Sequence, residues 1–329
     1  MKYDVIIIGA GLAGATCGYL FKKQDKKVLI IEKEKLDKKD KLCGGLLTKK
    51  SYELFYELFP KNKLKFKEYD HFYINNDGRR IKFNNSFKGI YRKDLDDYVL
   101  GEYIELGGEI LDEVKDYDLD MANNKIKIGR KTYSYDMLVG ADGVFSQLRY
   151  RVTGKYQEKC FAYEVKAPVK DELDIFFFKK FKGYGWIIPN KSNSVVGIGV
   201  FTDKVKIEDV LDKFLKEHDI EKKNVRGAFL PSGRDIYLRK GNIYFIGDAA
   251  GVISPILGEG IYYAMLTAKL LTENLNNYSK SLEPVFNKFE KEKIYMKFVY
   301  EDGIRNFVFN HHKSYILNRG IYHFIRKHL

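Results

Sequence analysis

A run of β-branched residues, Val5-Ile6-Ile7-Ile8, passes directly into Gly9-Ala10-Gly11-Leu12-Ala13-Gly14, and this junction constrains the chain more than any other feature. An uninterrupted apolar run of this kind suits a strand buried on both faces of a parallel sheet. The glycine spacing suits a strand that turns tightly into a helix. Gly9 permits the turn, Gly11 lets backbone N–H groups approach an anion, and Gly14, beside Ala13, allows the helix to pack closely on the strand. The helix start adds unpaired N–H groups and about half a positive charge, so a pyrophosphate is stabilised there. Lys27 to Ile31 reads as the next buried strand, completing a β-α-β unit. Glu32, followed by Lys33, ends that strand, where a carboxylate can accept hydrogen bonds from ribose hydroxyls and repel a 2′-phosphate. NAD and FAD both meet these demands.

Further along, Phe66 to Phe83 alternates around Asn75-Asn76-Asp77-Gly78, a hairpin signal. Asp94 to Leu106 reads as an amphipathic helix, with strand-like pieces near Ile110, Ile126 and Met137 to Val139. Residues 156 to 230 are β-rich and aromatic, with a helix near 207 to 217. Ile243 to Ile246 restores the buried-strand pattern, and beyond Gly258 the chain reads as helices with breaks near Gly303 and Gly320. The expected fold is α/β: a discontinuous Rossmann-type domain (1–65, 88–155 and 240–290), an inserted β-rich cover domain (66–87 and 156–239), and a C-terminal helical segment (291–329).

Composition narrows the function classes. The 329 residues carry a formal charge of +13, which invites a polyanion partner. Lysine is spread along the whole chain rather than clustered, so solvated surface lysines are the expectation and nucleic acid is not an expected partner. Cys17, Cys43 and Cys160 are odd in number and lack metal-ligand spacing, so neither a disulfide framework nor a metal site is expected, and a reducing cytoplasm fits best. The longest uncharged run, Val5 to Phe21, is short for a membrane span and is interrupted by Gly9, Gly11, Gly14 and Gly18.

Two further segments carry a family resemblance. Asp142-Gly143-Val144-Phe145-Ser146-Gln147-Leu148-Arg149, following Gly140-Ala141, resembles the D-G-x-x-S-x-x-R element of the p-hydroxybenzoate hydroxylase-like flavoproteins, and Gly247-Asp248-Ala249-Ala250-Gly251 resembles their second G-D motif. The resemblance implies FAD, with Asp248 on the ribityl chain. It also implies that Pro255-Ile256-Leu257-Gly258-Glu259-Gly260-Ile261 starts a helix whose positive end faces the flavin. Arg92 belongs to Tyr91-Arg92-Lys93-Asp94-Leu95-Asp96, similar to the family's R-x-x-L-D helix start, which would bring Arg92 to the ribityl-phosphate side; an ordinary surface arginine is the other reading. Val114 lies where such proteins lend backbone to the adenine, and a bare surface strand would read the same way.

Within that family the chain resembles the geranylgeranyl reductase branch. Cys43-Gly44-Gly45 is similar to its C-G-G element, implied to lie by the flavin, with Cys43 the candidate catalytic group; a small buried cysteine is the plainer reading. Gly183-Tyr184-Gly185-Trp186-Ile187-Ile188-Pro189 is similar to its Y-x-W-x-F-P motif, with Ile188 in place of phenylalanine. Alternation puts Tyr184 and Trp186 on one face, with Pro189 ending the candidate substrate wall, or all three are simply core. The implied activity is C=C reduction of a prenyl or other apolar substrate, with NAD(P)H or another reduced carrier as transient donor. A flavin monooxygenase or halogenase is the first alternative, since the tryptophan element is also close to the halogenases' W-x-W-x-I-P, and a flavin electron-transfer protein without its own alkene is the second. The segment between Trp186 and Asp248 is short for an enzyme enclosing a twenty-carbon chain. The stretch from Ile294 onward mixes Phe298, Phe307, Phe309, Ile316 and Ile325 with Lys313, Arg319, Arg326 and Lys327. Such a tail either lies on an anionic membrane as a peripheral contact or packs on the FAD domain.

Overall fold

The computed structural model describes residues 1–179, 181–201 and 205–311. The chain forms two compact units, each assembled from three stretches of sequence. The first comprises Met1–Lys41, Lys93–Lys159 and Pro231–Phe289. The apolar run Lys2–Ile8 lies at the centre of its sheet, parallel to Val28–Ile31 on one side and Lys131–Gly140 on the other. Glu109–Leu111 and Ile243–Phe245 extend the parallel array at either end. The antiparallel strands Lys125–Ile128 and Asp118–Asp120 continue from Lys131–Gly140. Ile6 and Ile7 are fully buried, as a strand covered on both faces requires. Helix Leu12–Lys22 follows the first strand, helix Arg92–Glu105 precedes Glu109–Leu111, and helix Ile261–Glu273 follows the last parallel strand. Helix Arg92–Glu105 starts two residues before the expected Asp94, and Leu95, Val99 and Tyr103 form its buried stripe.

The second unit comprises Leu42–Arg92, Cys160–Leu230 and the chain from Glu290. Its sheet runs Arg226–Pro231, Lys159–Ala167, Ser194–Val200, Gly183–Pro189, Asp174–Phe177, Lys67–Asn76, Arg79–Gly89 and Leu46–Thr48. The hairpin expected at Asn75 to Gly78 is present between Lys67–Asn76 and Arg79–Gly89. Its two-residue turn has Asp77 at φ 52° and Gly78 at φ 73°, both left-handed as the favoured hairpin turns demand. One face of the sheet is closed by helix Ile207–Glu217, whose Leu211, Phe214 and Leu215 pack with Val165, Val196 and Ile198. The other face carries Phe72, Phe83, Phe87, Ala162, Trp186 and Ile188.

The unit boundaries differ from those expected from the sequence. Residues 42–65 belong with the second unit, because Leu46–Thr48 pairs with Arg79–Gly89 and so enters its sheet. Residues 290–311 also belong there: Arg305 is buried, with Nε donating to Asn76 Oδ1 at 2.6 Å and a guanidinium N–H donating to the Phe178 carbonyl at 3.0 Å. The helix break lies at Tyr300 and Glu301, ahead of Gly303, because the Glu301 carboxylate caps the next helix by accepting from Ile304 N–H. The break expected near Gly320 lies outside the described residues. Among the described residues, no helix is long and apolar enough to cross a membrane and no group of ligating side chains could hold a metal ion.

Candidate functional site

The glycine-rich turn behaves as three separate devices. Gly9 has φ +106°, and a methyl group there would lie 2.5 Å from the Ala141 carbonyl oxygen, so only glycine fits between the first strand and the Ala141 loop. At Gly14 a methyl would lie 1.9 Å from the Gly9 carbonyl oxygen, which fixes how closely helix Leu12–Lys22 approaches the strand. Gly11 is different: a methyl there would meet nothing within 4 Å. Gly11 is also the N-cap of that helix and offers no side-chain hydrogen bond to the first-turn N–H groups. An open surface over uncapped N–H groups is what a diphosphate requires.

Glu32 is buried at the end of its strand and grips the same turn. Its carboxylate accepts from Ala10 N–H at 2.8 Å, from Lys33 N–H at 2.8 Å and from Glu34 N–H at 3.1 Å. Lys39 Nζ adds a 2.7 Å ion pair. Desolvation pushes the carboxyl up, but Lys39 and these N–H donors outweigh it and hold it below its ordinary value, so it is an anion at neutral pH. Val114, expected to lend backbone to an adenine, has its N–H engaged with the Glu32 carbonyl at 2.9 Å and its side chain against the core. Lys39 carries no motif of its own, and only the loop after the strand brings it back to Glu32.

The Asp142 loop and the Gly247 turn are joined by a buried polar network. Gln157 Nε2 donates to the Asp248 carbonyl at 2.7 Å and to the Val144 carbonyl at 3.1 Å, while its Oε1 accepts from Arg149 at 3.2 Å. Arg149 in turn donates to the Asp235 carboxylate at 2.7 Å and to the Ala249 carbonyl at 3.4 Å. Gly247, Gly251 and Gly258 adopt left-handed φ values of 54°, 78° and 62°, which explains glycine at those positions. Asp142 accepts from Leu148 N–H through Oδ2, at 3.2 Å. Its Oδ1 is buried with no hydrogen-bond partner among the described residues, and desolvation raises its carboxyl above the ordinary range. Gly143 beside it leaves open space. Asp248, expected on a ribityl chain, pairs through Oδ2 with Lys41 Nζ at 2.6 Å. A methyl at Gly260 would lie 3.5 Å from Asp248 Oδ1, so the Gly258-Glu259-Gly260 turn keeps backbone close to that carboxylate. Helix Ile261–Glu273 begins there with Gly260 as its N-cap and no side-chain cap on its positive end.

These residues suit a dinucleotide cofactor: an open glycine over uncapped N–H groups, an anionic Glu32, an orphaned buried Asp142 oxygen and a second uncapped helix start all lie in the first unit. The other expected residues gather in the second unit. Cys43-Gly44-Gly45 forms a loop in which Cys43 Sγ accepts from Gly45 N–H at 3.5 Å. A methyl at Gly44 would lie 2.7 Å from Ile188 Cδ1 and 3.8 Å from Trp186 Nε1, and one at Gly45 would lie 1.9 Å from the Ile90 carbonyl, with the Arg92 backbone next to it. Arg92 itself is buried, not an ordinary surface arginine. Tyr184 and Trp186 share a face, with ring centroids 5.6 Å apart. Phe201, Tyr300 and Phe177 continue that aromatic wall at centroid spacings of 6.0, 5.8 and 5.8 Å. Pro189 closes the strand, its carbonyl accepting from the Tyr69 hydroxyl.

The comparisons with known proteins meet this geometry. A family profile described as an NAD(P)-binding Rossmann-like domain matches residues 7–50. The geranylgeranyl diphosphate reductase of Rhodobacter capsulatus is 26% identical over 308 residues, covering 86% of this chain and 78% of its own. The digeranylgeranylglycerophospholipid reductase of Methanocaldococcus jannaschii is 26% identical, covering 89% and 83%. The chain is similar to both reductases over most of its length. A solved structure described as a geranylgeranyl bacteriochlorophyll reductase-like protein from Thermoplasma acidophilum superposes with a TM-score of 0.76 at 19% identity, covering 94% of this chain and 91% of that one, so the two share a fold. Sequence reasoning missed Lys39, which a short loop returns to Glu32, and Lys41 and Gln157, which reach Asp248 across long stretches of chain; none belongs to a motif.

Proposed function

We propose that this chain is an FAD-dependent oxidoreductase that saturates C=C bonds of a prenyl or other apolar substrate. The observation that carries the cofactor assignment is the orphaned Asp142 oxygen beside the open Gly143, together with the open Gly11 turn. Gly11 and the first turn of helix Leu12–Lys22 would hold the diphosphate, with Glu32 at the adenosine ribose. Asp142, Asp248 and the start of helix Ile261–Glu273 would hold the flavin half, with Lys41 setting the Asp248 carboxylate. Reduced FAD, once bound, supplies the hydride. NAD(P)H or another reduced carrier would recharge it transiently, since the chain has a single glycine fingerprint of this type.

In the second unit the Cys43 loop, Tyr184, Trp186 and Pro189 would bind and orient the apolar substrate. Aromatic rings at van der Waals spacing exclude water and present a smooth apolar surface, which suits an isoprenoid chain and limits competing proton leakage. The Cys43 thiol, within its own loop, is a candidate to position the alkene. The reading is tested by reducing the flavin anaerobically and mixing it with polyprenyl alcohols, diphosphates and lipids. Reoxidation with saturation of the added chain supports it, and an inert reduced flavin with every alkene overturns it. A C4a-oxygen adduct on admitting air would instead mark a monooxygenase, and turnover with a dye alone would mark an electron carrier.

The substrate class also motivates a proposal about the membrane. Ile294, Tyr295, Phe298, Ile304 and Phe307 are exposed, with Lys291 and Lys297 exposed beside them, an arrangement that suits an anionic bilayer surface. Phe309, by contrast, is buried. Ile316, Ile325, Lys313, Arg319, Arg326 and Lys327, expected to continue the basic apolar tail, lie outside the described residues. Co-sedimentation with anionic liposomes that weakens when Ile294, Phe298 and Phe307 are replaced by serine would support peripheral contact. Equal binding by the substituted chain would remove it.

A further inference from the structure

Saturating a double bond needs a proton as well as a hydride, and the second unit holds a buried carboxyl that no motif singled out. Glu164 lies on strand Lys159–Ala167 and is 7% exposed. Cross-strand pairing places it opposite Gly197, and Gly197 is opposite Trp186 on the next strand, so Glu164, Gly197 and Trp186 form one row on one face of the sheet. Glycine in the middle of that row leaves room for the indole: a methyl at Gly197 would lie 2.5 Å from Trp186 Cζ2. One row along, Gly199 stands between Ala162 and Tyr184 and leaves a second bare position, 3.5 Å from the same indole. The two glycines of Ser194–Val200 therefore form a strip with an aromatic wall on one side and a carboxyl on the other.

The Cys43-Gly44-Gly45 loop meets this row at one point. A methyl group at Gly44 would lie 3.8 Å from Trp186 Nε1 and 3.9 Å from Glu164 Oε1. The indole N–H is buried and has no hydrogen-bond partner among the described residues, an omission that is unfavourable unless a ligand fills it. An N–H donor and a carboxyl thus converge on the same spot in an otherwise apolar wall. Cys43, Cys160 and Glu164 all act electrostatically on the Tyr184 hydroxyl, which burial holds in its neutral form, so these titratable groups share one neighbourhood.

We propose that Glu164 is the acid of the substrate site, giving the proton that completes saturation, while Trp186 Nε1 donates a hydrogen bond to a polar group of the same substrate. The assignment rests on the reading of the function given above. In the step, the π bond would break as a hydride, which reduced FAD would supply when bound, forms the first C–H bond. The electron pair left on the neighbouring carbon takes the proton from the Glu164 carboxyl to form the second. Glu164 would be left as the carboxylate, with the two electrons coming from the reduced cofactor, and water would return its proton before the next turnover.

The test uses the flavin-loaded full chain as wild type, Glu164→Gln and Glu164→Asp. Anaerobic flavin reoxidation by a polyprenyl alcohol is followed in H2O and in D2O, and binding of the alcohol is followed by emission of Trp186, the single tryptophan of the chain. The expected result is that Glu164→Gln slows reoxidation by about 10²–10⁴-fold and loses the solvent isotope effect, with affinity and flavin content unchanged. Glu164→Asp recovers part of the rate. Reoxidation of Glu164→Gln at the wild-type rate, or a parallel loss of affinity and rate that Asp does not repair, overturns the role of Glu164 and leaves the proposed function standing. A wild type that no alkene reoxidises removes both.

Discussion

Gly11 and Gly14 differ in what surrounds them, and substitution separates their roles. Gly14→Ala would drive a methyl into the Gly9 carbonyl, a backbone atom that cannot step aside, and overpacking of this kind costs roughly 1–3 kcal/mol or more. Gly11→Ala meets open space at φ −73°, so its cost to the fold is about 1 kcal/mol or less. Urea unfolding of the two variants should show Gly14→Ala strongly destabilised and Gly11→Ala close to wild type. Flavin titration should show Gly11→Ala weakened at least about tenfold, or about 1.4 kcal/mol, because the methyl occupies the surface a diphosphate must reach. Equal losses of stability in both would contradict the division of labour. At this scale the fingerprint was legible because each glycine answers to a local demand: a positive φ, an open face, a close approach. Glu164 and Lys39 were not, since a single glutamate in Phe161-Ala162-Tyr163-Glu164-Val165 looks like any strand residue until the register sets it opposite Gly197.

Among elements, the tie between the Asp142 loop and the Gly247 turn depends on Gln157, which is 4% exposed and spends its amide on the Val144 and Asp248 carbonyls. Gln157→Leu keeps the bulk, strips both carbonyls of a donor and removes an acceptor from Arg149, so it should cost about 1–3 kcal/mol for each group left unsatisfied. Denaturant unfolding measures that loss. Flavin affinity should fall with it, because the turn presenting Asp248 is no longer tied to the loop presenting Asp142; unaltered affinity would mean the tie is not what positions them. The sequence showed the hairpin, the parallel strands and most helices through period and turn chemistry. It could not show that Leu46–Thr48 joins Arg79–Gly89, which moves residues 42–65 into the second unit, because a three-residue strand carries no period to read.

For the whole molecule, a Rossmann-type unit built from three separated stretches was expected from the buried-strand pattern recurring at Ile243 to Ile246, whereas the second unit was expected from two stretches with the C-terminal segment apart, and takes in that segment as a third. The boundaries depend on contacts between distant segments, such as Arg305 with Asn76, and so escaped a reading made along the chain. The central claim is that the residues around Gly11, Asp142 and Asp248 serve one flavin adenine dinucleotide. Mild denaturation of the purified chain, with identification of what is released, tests it most directly. The account predicts equimolar FAD, restored as a yellow complex on refolding with the cofactor and raising the melting temperature as its concentration rises. A colourless protein that takes up no FAD, or one that releases only NAD, would contradict it.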